Sequence, residues 1–420
     1  MIKHYFKQAL QMLKENPLVN TISILGTALS IAMIMVVILV AQISVAEYTP
    51  ESYRNNMLYI LSTQAHSDQG QNNNGRMSAE VVKECFYTLQ KPKAVTAICQ
   101  DNRAISLPAK QLYKEYSIKY ADPGFWKAFD FGFIYGNSFS DADFQSGIPT
   151  AVITSDVASE LFGTKNAVGE TIIIDFIAYK ITGIVKPVSK AANHAYAEVW
   201  VPYTATPSLM ENPYNEGISG PFITVILANT RSDFDDIKKE LEQRTMLYNE
   251  GKKDFKVNFM NNPITRLDIA AGANGFRKVD INDYLLSTGG VLLFLLLIPA
   301  LNITGVMQSS IHKRRGEIGV RKAFGATYGK LVQQILYENL IITLIGGCIG
   351  LILSFFLLEV TKSFMLTTGE TMLTTEMLFK PGLFFVALLF TLLLNLLSAG
   401  IPAVRISRQQ IVDALKDNEN

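Results

Sequence analysis

The chain has 420 residues, of which 49% are hydrophobic and only 18% are charged. Its mean hydropathy of +0.19 is too high for an ordinary soluble domain of this length, so we expect membrane segments. A net charge of +1 argues against a nucleic-acid-binding protein, because such proteins carry a strongly basic face. The three cysteines are too few for a disulfide scaffold or a cysteine-rich metal site.

Four stretches without Asp, Glu, Lys or Arg are long enough to cross a bilayer, which takes about 17–25 apolar residues. In the first, Ser44–Ala46 could serve as a signal-peptidase site. The apolar region Ile22–Ile43 is longer than the roughly 7–15 residues of a cleaved leader, so we interpret this stretch as an anchor. The predicted transmembrane helices are 18–46, 284–311, 339–358 and 381–404.

The distribution of Lys and Arg predicts the orientation of these helices. Residues 1–17, which we expect to form a short amphipathic helix, carry Lys3, Lys7 and Lys14. The loop after the second helix is also basic, and basic loops stay in the cytoplasm. We therefore expect both termini, including the tail 405–420, in the cytoplasm of a bacterial cell and residues 47–283 in the periplasm. The basic residues of the loop are Lys313, Arg314, Arg315, Arg321, Lys322 and Lys330.

Residues 47–283 alternate strand-like and helix-like runs, which predicts a large α+β domain inserted between the first two transmembrane helices. Strand-helix-strand patterns near its two ends suggest one subdomain built from both ends. The polar segment Gln64–Arg76 is interpreted as a flexible loop. Residues 112–207 are predicted to form a second, inserted subdomain with strands at Ala151–Thr154, Thr171–Asp175 and Tyr179–Val185.

The residues give little indication of chemistry in this domain. The chain has no His-Glu-x-x-His and no Cys-x-x-Cys pattern, so we expect no catalytic, cofactor or metal site. Cys85 and Cys99 share the oxidising side of the membrane, where they could form a disulfide or remain buried thiols.

Small residues recur at a spacing of four in two of the predicted spans. Gly26 and Ser30 lie in the first span, and Gly346 and Gly350 lie in the third. This spacing permits close contact between transmembrane helices. We predict that these residues are helix-packing positions and that they could form an interface between subunits.

The most specific stretch is Arg314–Thr327, in the basic loop. Glu317 precedes Arg321 by four residues, the favourable order for an ion pair on a helix. Gly325 can adopt the left-handed conformation that ends a helix. The stretch therefore predicts a short basic helix beneath the bilayer, although its charge alone is also typical of an ordinary cytoplasmic loop.

This stretch, with Asn302 before it and Glu338 after it, resembles the signature of the FtsX-type permease domain of ABC transporters. The first span, with Ile24–Gly26, is similar to the opening of MacB-type permeases. The outer domain is similar to the MacB-type periplasmic domain at Asp122–Trp126, Phe131–Gly136, Ala151–Ile153, Leu161–Gly163 and Val168–Glu170.

The resemblance implies a dimer of permeases, identical or related, with two cytoplasmic ATPases whose motions reach the periplasmic domain mechanically. ATP and Mg²⁺ would be bound by the ATPase, which we expect on another polypeptide. Gly325–Leu331 is one residue short of a phosphate loop and ends in Leu331 where Ser or Thr is needed. The resemblance also implies that the loop helix docks on the ATPase through Arg315, Glu317, Ile318, Gly319, Arg321, Lys322, Phe324, Gly325 and Ala326.

Several functions fit this plan, and none makes the chain itself an enzyme. It could drive export or extraction across the envelope, with a periplasmic adaptor and an outer-membrane channel as further partners, or release lipoproteins. It could instead be an FtsX-like signalling permease that regulates cell-wall hydrolases, or a membrane-anchored sensor. The large outer domain favours export or extraction, because the domain of the division-type permeases is much smaller.

Overall fold

The computed structural model describes residues 17–108, 110–211, 214–295 and 327–365, together with 297, 320, 324, 325 and eight positions between 382 and 396. The chain divides into two compact units. One holds Gln42–Tyr284 and is called the α+β domain below. The other holds the described residues up to Ala41 and from Leu285 onward and is called the helical unit.

The α+β domain contains a ten-stranded sheet and a four-stranded sheet. The large sheet has the order β14-β1-β12-β4-β5-β10-β7-β9-β6, with β8 paired to both β4 and β9, and the small sheet has the order β11-β3-β2-β13. The strands are β1 Met57–Ile60, β2 Thr63–Ser67, β3 Asn72–Met77, β4 Ala94–Leu107, β5 Lys110–Ala121, β6 Phe133–Gly136, β7 Thr150–Thr154, β8 Thr171–Ile174, β9 Ile177–Val185, β10 Val199–Pro202, β11 Ser219–Gly220, β12 Ile223–Leu227, β13 Phe255–Asn258 and β14 Ile264–Thr265.

Strand β4 joins the two parts of the domain that the sequence predicted as separate subdomains. Its first half, Ala94–Ile98, pairs with β12, and its second half pairs with β5 from Cys99 onward. Residues 112–207 thus add β6–β10 to the sheet that also contains β1 and β12. One hydrophobic core includes residues from both parts, such as Ile60 and Ile153. The inserted segment therefore shares a sheet and a core with the rest of the domain.

The segment Gln64–Arg76, predicted as a flexible loop, is mostly a β-hairpin, so that prediction was wrong. Strands β2 and β3 pair antiparallel, with Gln64 opposite Asn74, and the Gln64 Nε2 donates a hydrogen bond of 2.8 Å to the Asn74 Oδ1. An antiparallel sheet can expose one face to water, so polar residues do not prevent strand formation. Pairing with β13 and β11 supplies the context that the local sequence lacks.

Most helices of the domain begin at polar caps, and Phe234–Glu250 has no side-chain cap. The Ser78 Oγ accepts a hydrogen bond of 3.0 Å from the Val81 N–H and so caps the first of them. The helix that Ser78 caps continues as a π-helix over Val82–Phe86. The helices are α2 Ala79–Val81, α3 Pro123–Ala128, α4 Asp141–Gln145, α5 Ser155–Phe162, α6 Phe234–Glu250 and α7 Arg266–Ala270.

The remaining helices are long and apolar. They are α1 Pro17–Val45, α8 Ile281–Leu295 and α9 Tyr328–Met365. Two stretches of the described chain, Asn20–Ile38 and Leu340–Leu357, are long and apolar enough to cross a membrane, and Ile281–Leu295 is apolar but shorter.

Several predicted segments fall wholly or largely outside the described residues. These are the N-terminal helix 1–17, most of span 284–311 beyond residue 295, most of span 381–404, and the tail 405–420. The membrane-compatible stretch Asn20–Ile38, in α1, lies within the predicted span 18–46. The stretch Leu340–Leu357, in α9, lies within the predicted span 339–358.

Helices α1 and α9 approach closely where α9 carries glycines. An ideal Cβ on Gly350 would lie 2.7 Å from the Ala28 carbonyl oxygen and 3.0 Å from the Ile31 Cβ. One on Gly346 would lie 3.0 Å from the Thr27 Cβ. The absence of side chains at both positions lets the backbones of the two helices pack directly. Ser30 on α1 is buried and Gly26 is half-buried.

Replacing Gly350 by Val should separate the two helices and destabilise the helical unit by about 1–3 kcal/mol, because a well-packed site resists added volume. The matched control is Gly289→Val in α8, where an added Cβ meets no atom within 4 Å. Thermal unfolding of the full chain in lipid nanodiscs should give a lower midpoint for Gly350→Val than for Gly289→Val. Equal midpoints would show that Gly350 is not a close contact.

Candidate functional site

The predicted ATPase-coupling stretch is described at only a few positions. The Phe324 side chain is 88% exposed, and its N–H donates a hydrogen bond of 3.0 Å to the Val320 carbonyl. Gly325 has φ of +88°, the left-handed conformation expected at a helix end. The other predicted coupling residues lie outside the described residues: Arg315, Glu317, Ile318, Gly319, Arg321, Lys322 and Ala326.

The sequence motifs of the outer domain have structural roles. The Asp122 Oδ1 accepts a hydrogen bond of 3.1 Å from the Phe125 N–H and so caps α3. An ideal Cβ on Gly124 would lie 3.2 Å from the Val95 carbonyl carbon, so this glycine lets α3 pack directly over β4. Gly163 ends α5 with φ of +72°. These motifs set turns and close contacts, and they do not form a cleft with reactive groups.

Cys85 and Cys99 are both free and buried. Burial raises the pKa of Cys85 to about 12 and that of Cys99 to about 11. Such thiols stay protonated at neutral pH and are poor nucleophiles. Of the two possibilities that the sequence left open, a disulfide or buried thiols, the structure therefore contains the buried thiols.

The most unusual cluster of charged groups lies just after the end of α1 at Val45. The side chains of Glu51 and Arg54 are completely buried and form a salt bridge through the Arg54 Nε. Charged residues are almost never fully buried unless they are paired, because removal from water costs several kcal/mol per ion. The position of this pair, within ten residues of an apolar helix, makes it the candidate site.

Two arginines of this cluster hold the end of α1. The Arg54 Nη1 donates a hydrogen bond of 3.2 Å to the Ala46 carbonyl, and the Arg266 Nε donates one of 2.6 Å to the Ser44 carbonyl. The last carbonyls of a helix have no partner within the helix, so they are ready acceptors for cations. The Arg54 guanidinium also lies 4.0 Å from the centre of the Tyr48 ring. Residues 44–54 are therefore fixed to the domain at several points, and we call this arrangement the joint.

Both oxygens of the Glu51 carboxylate have partners. Its Oε2 faces the Arg54 Nε, and its Oε1 accepts hydrogen bonds of 2.9 and 3.0 Å from the His194 and Ala195 N–H groups. Burial raises the pKa of Glu51, but the charge of Arg54, the nearby His194 and these hydrogen bonds outweigh it and hold the pKa below its usual value. The Glu51 carboxylate therefore stays ionised at neutral pH. Its contribution to the stability of the folded domain is lost only as pH falls through the acidic range.

Sequence reasoning did not identify the joint. Glu51 and Arg54 are three residues apart just after the first span, but surface pairs share this spacing, and only the fold reveals the burial. Arg266 and His194 approach from more than 140 residues away. The arrangement offers no nucleophile or open cleft among these residues, and its contacts hold residues 44–54 to the rest of the α+β domain.

Two family models match the chain. The MacB-like periplasmic core domain covers residues 21–244, and the FtsX-like permease C-terminal domain covers residues 289–411. The first alone covers more than half of the 420 residues.

Curated relatives match the chain at low identity. The chain is 29% identical over 219 residues to an uncharacterized ABC transporter permease, YknZ, of Bacillus subtilis, which covers 51% of this chain and 50% of the relative. It is 24% identical over 397 residues to the macrolide export ATP-binding/permease protein MacB of Burkholderia cenocepacia, covering 94% of this chain and 55% of the relative. The chain thus spans about half the length of these relatives.

Among solved structures, the extracellular domain of the ABC-type transporter YknZ from Gram-positive bacteria matches with a TM-score of 0.34 and 15% identity, covering 48% of this chain and 100% of that one. The family assignment rests on the two family models and the curated relatives. From these matches, the chain belongs to the family of ABC transporter permeases that combine a MacB-like periplasmic core domain with an FtsX-like permease domain.

Proposed function

We propose that this permease transmits motions of a separate cytoplasmic ATPase to its periplasmic domain and thereby drives export or extraction of a substrate across the cell envelope. The ATPase would bind ATP and Mg²⁺ and would act as a dimer beneath two permease copies. A periplasmic adaptor and an outer-membrane channel are further partners in this proposal. The names of relatives support the class of activity, since they include macrolide and pyoverdine export proteins.

The proposed topology has four transmembrane helices, with both termini in the cytoplasm. It is supported by the two membrane-compatible helices of the described chain and by the basic residues of the N-terminal segment and of the loop before α9. This topology puts the α+β domain on the opposite side from Phe324. Motion generated at the ATPase must then pass along the membrane helices to reach the domain.

The observation that carries the proposal is the joint. Mechanical transmission needs a stiff attachment where a membrane helix enters the domain. At that point Arg54 and Arg266 donate to the Ala46 and Ser44 carbonyls, and Glu51 holds Arg54 in place. Salt bridges between exposed groups contribute little, whereas breaking a buried pair costs several kcal/mol, so the joint resists bending as a surface contact would not.

The exposed Phe324 supports a contact between the loop before α9 and the ATPase. A large aromatic side chain that is 88% exposed beside a helix-ending glycine is suited to insert into a pocket of a partner protein. Aromatic residues are enriched among the side chains that dominate binding energy. We assign Phe324 as the central contact and propose that Arg321 and Lys322 steer the encounter through their charge.

An FtsX-like signalling permease is the second candidate function, because the FtsX-like permease model matches residues 289–411. Such a protein would use the same joint to change the conformation of its periplasmic domain without moving cargo. Activation of a cell-wall hydrolase by the purified complex, without transport, would favour it.

Phe324→Ala should reduce ATPase association, since loss of a buried aromatic anchor costs about 2 kcal/mol or more, roughly thirtyfold in affinity. The measurement is co-purification of the ATPase with equal amounts of wild-type and variant permease. Phe176→Ala is the matched control, because Phe176 is also a highly exposed phenylalanine but belongs to the α+β domain. Undiminished association of Phe324→Ala would remove this residue from the coupling surface.

Glu51→Gln should destabilise the α+β domain by about 3–5 kcal/mol, because Arg54 would remain buried without a counter-charge. Lys114→Met is the control, since it breaks the exposed Lys114–Glu160 pair and should cost less than about 1 kcal/mol. Thermal unfolding of the full chain, followed by tryptophan fluorescence, distinguishes the two. Similar midpoints for both variants would mean that the buried pair does not stabilise the joint.

A further inference from the structure

The loop 191–195 lies between the joint and the centre of the large sheet. On one side the Glu51 Oε1 accepts hydrogen bonds from two of its amides, those of His194 and Ala195. The Arg54 Nη2 also donates a hydrogen bond of 2.6 Å to the Ala191 carbonyl. The same pair that holds the end of α1 therefore also holds this loop.

On its other side the loop is held by a buried lysine. Lys119 lies in β5 with 1% of its surface exposed, and its Nζ donates hydrogen bonds of 3.1 and 2.7 Å to the Asn193 and His194 carbonyls. A neutral amine has two N–H donors and an ammonium has three. Among the described residues the Nζ has just these two acceptors, so the neutral amine is fully satisfied. The third N–H of the charged form would be buried without an acceptor.

His194 has the same preference for its neutral form. It is 4% exposed, and its ring packs on Tyr59 with a centroid distance of 4.5 Å. Its Nδ1 is buried without a hydrogen-bond partner in the described part of the chain. An imidazolium donates from both ring nitrogens, so protonation would create a buried donor with no acceptor.

Burial lowers the pKa of both bases, and the neighbouring charges act differently on each. Burial lowers the pKa of Lys119 to about 7, with Glu51 and the Cys99 thiol opposing the change. Burial lowers the pKa of His194 to about 4; Glu51 opposes this, while Lys119, Arg266 and Arg54 add to it. In the described part of the chain, Glu51 is the carboxylate that faces Arg54, Arg266, Lys119 and His194, so each proton added to Lys119 or His194 increases the repulsion among the positive groups.

We propose that the loop 191–195 is an acid-released clamp, which holds the joint to β5 while Lys119 and His194 are neutral and opens when they are protonated. This inference rests on the proposed function and adds its regulation, since an open clamp would weaken transmission from α1 to the sheet. The periplasmic side, where the proposed topology puts the clamp, is the side exposed to external acid.

Proton linkage fixes the direction of the effect. With the loop open, both bases return to their ordinary pKa values of 10.5 and 6.5, so the open form binds protons more strongly than the closed form. The clamp is therefore tightest at high pH. It weakens as pH falls from 10.5 to about 7 through Lys119 and from 6.5 to about 4 through His194. Protonation of Glu51, whose pKa is lowered, adds to the opening in more acidic solution.

Amide hydrogen exchange of the full chain in nanodiscs tests the clamp. Protection of the peptide that contains residues 191–198 is measured at pH 8 and pH 6, each relative to the intrinsic exchange rate at that pH. Acidification should reduce protection about tenfold through Lys119 and a further roughly fourfold through His194. The helix Asp141–Gln145, whose cap is distant from this cluster in sequence, is the internal reference.

Two variants separate the contributions. In Lys119→Met the tenfold part of the fall in protection between pH 8 and pH 6 should be absent. In His194→Phe, which keeps a ring against Tyr59, the fourfold part should be absent. Lys165→Met, at an exposed lysine, should behave as wild type. Protection that does not fall in wild type, or that falls equally in Lys119→Met, would overturn the clamp. No ATPase is present in this experiment, so a negative result leaves the proposed coupling function intact, and failure of the ATPase to co-purify leaves the clamp intact.

Discussion

A carboxylate that is enclosed without access to water must be met by positive charge and by hydrogen-bond donors, and Glu51 imposes this requirement on the whole joint. Arg54 supplies the charge, and the amides of the loop 191–195 supply the donors. Because Arg54 also donates to the Ala46 carbonyl, the residues that satisfy this buried acid also hold the chain just after α1. An apolar contact at this point would tolerate sliding, whereas directional hydrogen bonds from buried ions do not.

The same requirement explains why the joint reaches the middle of the large sheet. The loop that supplies amides to Glu51 presents its carbonyls to Lys119 in β5, and β5 pairs with both β4 and β10. Strand β4 continues the connection, because its first half pairs with β12 and its second half with β5. The chain after α1 is thus connected through hydrogen bonds to strands in both parts of the domain. In the helical unit, α1 and α9 approach closely at Gly346 and Gly350.

Local signals in the sequence were sufficient for elements whose own residues determine them. Strands β7 and β8 have short apolar runs, β9 is rich in β-branched residues, and Gly325 takes the conformation that glycine favours. The hairpin β2–β3 was missed because its residues are polar and become strands only by pairing with β13 and β11. The joint was missed for a similar reason. Nothing in Glu51 or Arg54 indicates burial, which arises when Lys119, His194 and Arg266 converge from distant parts of the chain. The family resemblance identified the loop that contains Phe324, but it did not indicate where the domain is attached to α1.

The rigidity of the joint can be measured directly as a distance distribution. Spin labels at Val45, the last residue of α1, and at Lys165, an exposed position in the domain, would be introduced into the full chain in nanodiscs, with the exposed Cys348 replaced by Ala. Pulsed electron paramagnetic resonance at pH 8 should give a single narrow distribution, and Glu51→Gln should broaden it. A broad or bimodal distribution in the wild-type chain would contradict a stiff attachment of α1 to the domain.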